Sequence, residues 1–266
     1  MKLAFSTIAC PDWTFEDIFS AATDLRFNGV ELRAIENNTY LPKARPFLPN
    51  HIEKTKQMLK RAGLAVPMLA SSIDLSSADS EKRLQEVKDY AALAKELDCP
   101  YIRIMCEPTA QPEKDISITD IAQTCACLCE AAGEDVTLLV ETNGILANSD
   151  NMLQFLSLVG HENIGVLWDV HHPYRYFGEE MDVTYRKLQK HIRYVHVKDS
   201  VMENGEIQYK MMGRGDLPLQ SMMMQLKQGG YNGYITLEWV KLWCPDLQEG
   251  GIVFPYYKNF MKQLMG

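Results

Sequence analysis

The sequence predicts an α/β protein built as a single closed (β/α)₈ barrel, on three observations. Short apolar β-rich runs alternate strictly with helical stretches, eight of each, over 266 residues. Most of the runs lack period-two alternation, as expected for parallel strands buried on both faces. Eight such repeats favour a closed barrel. An open doubly wound sheet is the main rival, but no G-x-G-x-x-G follows the first strand and no Walker A motif occurs. No linker divides the chain, so we expect one domain over residues 1–266 with its active site at the C-terminal rim.

The elements follow one another in a regular rhythm. The predicted strands cover 2–7, 29–34, 65–70, 101–105, 137–141, 164–169, 192–198 and 234–238. Between and after them, helices are predicted near 14–27, 50–62, 80–97, 119–132, 150–159, 180–191, 218–227 and 255–264. Thr14 is the expected N-cap of the first helix, and Asn50 and Gly63 bound the second. Segments 35–50 and 199–214 are predicted to be long loops.

Composition excludes several classes of protein. Hydrophobic residues make up 46% and charged residues 23%, which is typical of a globular domain. The net charge of -8 disfavours non-specific nucleic-acid binding. No apolar run approaches the roughly 20 residues that span a bilayer. The opening MKLAFSTIACPDW lacks the apolar core of a signal peptide and fits a first strand better. We therefore expect a cytoplasmic protein with neither nucleic-acid nor membrane partners.

Seven cysteines include a cluster in TCACLCE, at Cys125, Cys127 and Cys129. Positions i and i+2 of a helix point to different faces, and no C-x-x-C pair exists in the chain. Free buried thiols are therefore favoured over a zinc or redox motif.

Four consecutive predicted strands end in metal-competent side chains. The runs TLLVE, IGVLWD, IRYVH and YITLE stop at Glu141, Asp169, His196 and Glu238. In a parallel barrel these strand ends converge on one rim. Any one of them alone is more often a solvated or structural residue, but three carboxylates crowded together without a cation would repel one another. The set therefore predicts one divalent metal ion, Mn²⁺ in the first place, with Mg²⁺, Co²⁺ and Zn²⁺ as alternatives.

Six short motifs carry a resemblance to a known family. They are GVELRA, ETNG, WDVHH, HVKD, GRGD and LEW, and the most specific spacings are Asp169 to His172 and His196 to Asp199. The chain resembles, over essentially its whole length, the xylose isomerase-like TIM-barrel superfamily of sugar (phosphate) isomerases and epimerases, which also contains endonuclease IV. The resemblance implies the same barrel and a sugar or polyol substrate.

The resemblance also implies roles for individual residues. In that family the residues matching Glu141, Asp169, His196 and Glu238 bind the metal, and the residue matching His172 contacts substrate. Endonuclease IV has additional histidines for a three-zinc site. Here the third and fourth strands end LASSID and RIMCEP, and the loop ENGEIQYKMMGRGD contains no histidine. DNA repair is therefore not expected.

The expected chemistry is proton transfer next to a carbonyl. A metal that chelates a carbonyl and its neighbouring hydroxyl acidifies the C–H between them, so that a carboxylate can remove the proton and leave a metal-held ene-diolate. The resemblance assigns this proton exchange to Glu141 and Glu238, and Lys198 is the alternative proton carrier. The ketose 3-epimerase branch carries a further Glu and Arg where this chain has Ala147 and Met202, which puts that branch in doubt.

Other polar and aromatic residues are candidates for substrate binding. Arg103, Arg214 and Trp13 are predicted contacts, with Arg103 also a candidate to orient a metal ligand. Trp239 and Trp243 are further candidates for an apolar wall against a sugar. Glu31 and Arg33 are predicted to pair inside the barrel.

The leading hypothesis is a divalent-metal-dependent isomerase or epimerase of a sugar or sugar derivative. A lyase or dehydratase acting on a cyclic polyol ketone at the same site is the first alternative, because an ene-diolate also expels a β-hydroxyl. A non-catalytic or partner-dependent subunit is the second. The substrate, the native metal and homo-oligomer formation stay open at this point.

Overall fold

An eight-stranded parallel sheet forms the centre of the molecule in a computed structural model that describes residues 1–112 and 116–266. Its order is β2-β1-β10-β7-β6-β5-β4-β3, and every pairing within it is parallel. Two further strands, β8 and β9, form an antiparallel hairpin. The strands are β1 (Lys2–Ser6), β2 (Gly29–Glu31), β3 (Leu69–Asp74), β4 (Tyr101–Met105), β5 (Thr137–Glu141), β6 (Ile164–Asp169), β7 (Ile192–Val197), β8 (Asp199–Glu203), β9 (Glu206–Lys210) and β10 (Tyr234–Leu237).

Backbone contacts between the two edge strands close this sheet into a barrel. Parallel bridges join Gly29 to Ala65 and Leu32 to Leu69. The N–H of Leu32 donates to the carbonyl of Met68 at 3.2 Å, and the N–H of Ala70 donates back to Leu32 at 2.8 Å. The predicted TIM-barrel fold is thereby confirmed.

Helices surround the strands and begin at recognisable caps. Thr14 caps the first helix, with its hydroxyl oxygen accepting from the Asp17 N–H at 3.1 Å, and Gly63 ends the second with a φ of 61°. None of the described helices is both long enough and apolar enough to cross a bilayer. The α-helices are α1 (Phe15–Asp24), α2 (Ile52–Ala62), α3 (Ser80–Glu96), α4 (Ile118–Ala132), α5 (Ser149–Val159), α6 (His171–Phe177), α7 (Met181–Leu188), α8 (Leu219–Gln228) and α9 (Gly250–Met265).

Strand alternation divides the core into two parts. Leu139, Leu167 and Tyr194 form a small buried cluster with Met68, separate from the large cluster that joins strands to helices. Each of the three lies two residues before a predicted metal ligand and therefore on the same, inward face of its strand. The hydroxyl of Thr236, two residues before Glu238, donates to the Tyr194 hydroxyl at 2.7 Å. This layer forms the floor beneath the four predicted ligands.

Three local predictions were wrong. The third strand was placed at 65–70, but β3 begins at Leu69, since Pro67 has no N–H for a ladder and interrupts regular pairing. The predicted loop 199–214 contains the β8–β9 hairpin, turned by Asn204 and Gly205 at φ values of 53° and 84°. The last helix begins at Gly250, with Pro255 inside it.

The cysteines are free thiols, as predicted. Cys125 and Cys129 are buried on the inner face of α4, but Cys127 between them is exposed, because i and i+2 lie on different faces. Burial holds the pKa of the Cys125 thiol well above its usual value.

Candidate metal centre and active site

The four predicted ligands meet at one end of the barrel. One ligand atom from each of Glu141, Asp169, His196 and Glu238 lies within 4.8 Å of all the others, and all four side chains are buried. They stand at or just beyond the C-terminal ends of β5, β6, β7 and β10, four neighbouring strands of the barrel. The parallel register therefore brings together residues almost a hundred positions apart.

One ring nitrogen of His196 is hydrogen-bonded to a carboxylate, and the other has no hydrogen-bond partner among the described residues. Its Nε2 lies 2.6 Å from Glu31 Oε2, so a proton on Nε2 is shared with that carboxylate. Nδ1 is buried, has no hydrogen-bond partner among the described residues, and lies 3.5 Å from Glu238 Oε1 and 3.9 Å from Glu141 Oε1. Burial opposes protonation of this ring, but the charges of Glu31 and Glu238 outweigh it and raise the pKa of His196 to about 10.

Two buried cations neutralise the carboxylates. Arg103 Nη1 lies 3.2 Å from both Glu141 and Glu238, while its Nη2 donates to the Ser71 carbonyl at 2.9 Å. Burial raises the pKa of Glu141, but the charge of Arg103, together with His196 and His172, more than offsets it and holds that pKa at about 2. Arg103 thus contacts two of the predicted metal ligands, the orienting role considered above.

Lys198 is the second cation. Its Nζ lies 2.5 Å from Glu238 Oε2 and also forms an ion pair with Asp169. Burial opposes the charged ammonium, but Asp169 and Glu238 raise the pKa of Lys198. The pKa of Glu238 lies well below its usual value, because Lys198 and the protonated His196 outweigh the effect of burial. The neighbouring Asp199 is not an ion-pair partner of Lys198 among the described residues, and it accepts the N–H groups of Gly213 and Gly215, both at 2.8 Å.

The two histidines after β6 face different ways. Asp169 Oδ1 accepts the backbone N–H groups of His171 and His172 at 2.9 and 3.3 Å, which fixes its other oxygen toward Lys198. His172 Nδ1 lies 3.0 Å from the Thr142 carbonyl and must donate to it, leaving Nε2 as an acceptor. Burial, together with the charge of Lys198, lowers the pKa of His172. His171 instead bonds Ser200 through Nε2 at 3.0 Å.

A cavity of about 380 Å³ opens over this centre. The catalytic candidates Glu141, Glu238 and Lys198 reach it, as do His172 and Arg103. The remaining lining residues are Met105, Pro108, Thr109, Ala110, Asn143, Tyr209, Val240, Trp243 and Cys244. The cavity is large enough for a small sugar and combines an aromatic wall with a charged floor.

Several predicted substrate contacts lie outside this cavity. Arg214 is exposed, and its Nε donates to the Tyr256 hydroxyl at 3.1 Å. Trp13 packs edge-on against Phe254, with ring centroids 5.8 Å apart. Trp239 is buried and donates to the Gln248 carbonyl. Of the tryptophans singled out from the sequence, Trp243 lines the cavity.

The predicted Glu31–Arg33 pair is replaced by two separate contacts. Glu31 bonds His196, whereas Arg33 Nη2 donates to the Ser72 hydroxyl at 2.8 Å. No ion pair joins Glu31 to Arg33 among the contacts of the described residues. Residues two positions apart share a face of a strand, which was the basis of the prediction. The side chains of Glu31 and Arg33 nevertheless contact different residues, His196 and Ser72.

The donor set fits a divalent cation. Three carboxylates and one imidazole converge, and the unpartnered Nδ1 of His196 offers a lone pair to the same space once its proton is lost. Glu31 behind Nε2 is the carboxylate that metal-binding histidines commonly hold on their other nitrogen. His171 and His172 each use a ring nitrogen to bond Ser200 and Thr142, respectively. They are therefore not part of this donor set.

The family model for xylose isomerase-like TIM barrels matches residues 19–250. The chain belongs to this family. Fructoselysine 3-epimerase from Escherichia coli O157:H7 is 23% identical over 258 residues, covering 92% of this chain and 93% of that protein. The two proteins thus align over most of their lengths, and the family match agrees with the resemblance carried by the sequence motifs.

Solved structures share the fold at low identity. The probable 3-DHS dehydratase AsbF from Bacillus anthracis superposes with a TM-score of 0.81 at 20% identity, covering 98% of this chain and 99% of that one. An L-ribulose 3-epimerase gives a TM-score of 0.79 at 16% identity, with 99% and 94% covered. The IOLI protein, solved with a zinc atom, gives 0.80 at 15% identity, with 100% and 98% covered.

Two residues at the site, Tyr209 and Asn143, were assigned no role from the sequence. Tyr209 lies on the β8–β9 hairpin and lines the cavity. The sequence signal for this hairpin was the Asn204-Gly205 pair, which is typical of a tight turn between two strands. Asn143 accepts from the Cys106 N–H at 2.7 Å and donates to the Glu107 carbonyl at 2.7 Å, which fixes the cavity wall after β4. Asn143 belongs to the ETNG motif, but no role was predicted for it because its contacts lie on the segment that follows a neighbouring strand.

Proposed function

We propose that this protein is a divalent-metal-dependent epimerase or isomerase that moves a proton on a carbon next to the carbonyl of a sugar or sugar derivative. One observation carries the proposal: the buried, unpartnered Nδ1 of His196 among three carboxylates, with Glu31 fixing the opposite nitrogen. We assign Glu141, Asp169, His196 and Glu238 to the metal, with Mn²⁺ the first candidate. A bound divalent ion acidifies the C–H next to a chelated carbonyl.

The chain's own residues supply the remaining functions. Glu141 and Glu238 approach the cavity from β5 and from beyond β10, and we assign proton removal and return to them. Arg103 and Lys198 keep both groups ionised and therefore able to accept a proton. His172 presents Nε2 as an acceptor for a substrate hydroxyl, and Trp243 with Tyr209 covers the cavity from solvent.

The full-length relative supports a 3-epimerase, in which the proton returns to the same carbon from the other face. Two positions separate this chain from the ketose 3-epimerase pattern: Ala147 is buried and Met202 is 47% exposed on β8. Neither side chain can form hydrogen bonds with a sugar. We therefore propose a substrate that differs from a simple ketose in the part those residues would contact.

A lyase using the same groups is the second candidate, and Lys198 is the observation that favours it. Its buried ammonium adjoins Glu238 on the cavity floor. Such a group can protonate a departing β-hydroxyl after Glu238 has taken the α-proton. An elimination would lose water and leave an unsaturated product, which distinguishes it from epimerisation.

The experiment is a solvent-exchange screen. Ketoses, aldoses, inosose-type ketones and their phosphates are incubated in D₂O with the Mn²⁺-loaded protein, and deuterium at carbon is read by NMR and mass spectrometry. Removing a general base typically costs about 10² to 10⁴ in rate, so Glu238→Gln should exchange that much more slowly. The exchange rate of Lys198→Met is measured in the same way. Metal content is determined for each variant, and we expect about one ion per chain.

The outcomes separate the mechanisms. If Glu238→Gln keeps its metal and the wild-type exchange rate while Lys198→Met abolishes exchange, lysine carries the proton. Lys60→Met, at an exposed position of α2, controls for loss of a lysine. If no compound exchanges in the wild type while the metal is bound, the isomerase proposal fails.

A further inference from the structure

Arg33 is a buried cation that the assignments above leave without a role. It follows β2 and is 4% exposed. Its backbone N–H donates to the Thr7 hydroxyl at 2.8 Å, which fixes where the side chain starts. Nη2 donates to the Ser72 hydroxyl, but Nε and Nη1 are buried and have no partner among the described residues. Three N–H donors of this guanidinium therefore lack an acceptor.

The charge of Arg33 is also uncompensated. Every carboxylate of the centre already has a different partner: Glu31 has His196, and the three predicted metal ligands have Arg103 or Lys198. No carboxylate of the described residues lies within ion-pair distance of Arg33. Burial and the neighbouring charge of Arg103 lower the pKa of Arg33 to about 10. A buried cation of this kind is unfavourable unless something anionic completes it.

Arg33 lies beside the cavity, on the side of the barrel opposite Asp169. Its Cζ is 5.7 Å from the ring of Trp243, which lines the cavity and is 55% exposed. Ser72, which holds Nη2, is exposed on β3. In the closed barrel β2 is four strands from β6, which carries Asp169, and two strands from β10, which precedes Glu238. A substrate whose reacting carbon lies on the side of the centre formed by Glu141 and Asp169 therefore reaches Arg33 with its other end.

We propose that Arg33 binds an oxyanion, a carboxylate or a phosphate, at the end of the substrate opposite the reacting carbon. The substrate class is then an anionic sugar or polyol derivative. The free N–H donors bind the oxyanion, and Trp243 covers it from solvent. This inference rests on the proposed function, because it names the substrate of that site.

The test compares three matched ketoses: a neutral sugar, the same sugar with a terminal phosphate, and the same sugar with a terminal carboxylate. Deuterium exchange gives kcat/KM for each with the wild type, Arg33→Met, Arg33→Lys and the control Arg61→Met, an exposed arginine on α2. A charge-assisted hydrogen bond corresponds to about 10- to 100-fold in binding. We expect the wild type and Arg61→Met to prefer one anionic ketose by that factor, and Arg33→Met to lose the preference while keeping its rate on the neutral ketose.

Each outcome decides the matter. The ketose that shows the preference identifies phosphate or carboxylate, and partial retention in Arg33→Lys supports a charge effect. Equal kcat/KM for all three ketoses in the wild type, or an unchanged preference in Arg33→Met, overturns the proposal. If Arg33 has only a structural role, Arg33→Met should have a lower Tm than the wild type, and its kcat/KM should fall by the same factor for all three ketoses.

If no ketose exchanges at all, the isomerase proposal fails and a second measurement decides on Arg33. Inorganic phosphate is titrated into the full chain and followed by phosphorus NMR. Binding that is weakened about tenfold or more in Arg33→Met, but not in Arg61→Met, supports an oxyanion site. Equal binding by all variants refutes it.

Discussion

Replacing Glu31 by Gln tests whether His196 is a metal ligand. Glu31 is fully buried and its Oε2 lies 2.6 Å from His196 Nε2. The carboxylate accepts hydrogen bonds only, so it holds a proton on Nε2 and leaves Nδ1 free to coordinate. An amide can instead donate to Nε2, which moves the ring proton to Nδ1, the atom that faces Glu141 and Glu238. Loss of such a carboxylate typically weakens metal binding about 10- to 100-fold, or about 1.4 to 2.7 kcal/mol.

The assay is metal-dependent thermal stability combined with direct titration. At a free metal concentration about 100 times the wild-type Kd, binding stabilises the wild type by about 2.7 kcal/mol and Glu31→Gln by about 0.4 to 1.4 kcal/mol. In a chain of this size each kcal/mol corresponds to about 2–4 °C. We therefore expect the wild-type Tm to rise by about 5–10 °C on loading and that of the variant by about 1–6 °C. Glu53→Gln, on the exposed face of α2, should match the wild type.

One result would refute the reasoning. If Glu31→Gln folds, binds metal with the wild-type Kd and shows the full rise in Tm, Glu31 does not orient a ligand and His196 is not coordinated through Nδ1. An equal loss of Tm with and without metal would instead mark Glu31 as a purely structural partner.

Two further predictions concern groups around the centre. His172→Ala should keep its metal and lose most turnover, because His172 Nδ1 is already used by Thr142; loss of the metal, measured by elemental analysis, would contradict this. Gly205→Ala places a Cβ at a φ of 84°, which costs about 1–2 kcal/mol locally. The hairpin should then hold Tyr209 less firmly and raise KM with little change in kcat, whereas steady-state kinetics identical to the wild type would show that Tyr209 makes no contact with substrate.

The barrel was predictable because its signal is repeated eight times, so an error in one element does not change the fold. The convergence of Glu141, Asp169, His196 and Glu238 was predictable for a related reason. Each ends an apolar strand, and parallel topology alone brings strand ends together. Their partners Glu31 and Arg103 were harder to predict. Glu31 bonds His196, which is more than a hundred positions away in the sequence. Arg103 contacts both Glu141 and Glu238.

Register and loop structure account for the errors. Because Pro67 interrupts regular pairing, the third strand begins only near the end of its apolar run, at Leu69. The hairpin that turns at Asn204 and Gly205 was missed because its sequence is too polar to suggest strands. Arg214, which lies between two glycines in the GRGD motif, was predicted to contact substrate. The glycines instead allow two backbone N–H groups to reach Asp199, so the motif shapes the loop and leaves the arginine in solvent.

Arg103 and Lys198 have a consequence for how the protein is handled. Many small metalloproteins unfold when chelated, because their ligands have no other partner. Here two fixed internal cations form ion pairs with the acidic groups without any metal ion. The barrel should accordingly survive stripping in a folded form and accept a different ion afterwards. A single preparation, emptied and refilled with Mn²⁺, Mg²⁺, Co²⁺ or Zn²⁺ in turn, would then rank the metals on one and the same polypeptide.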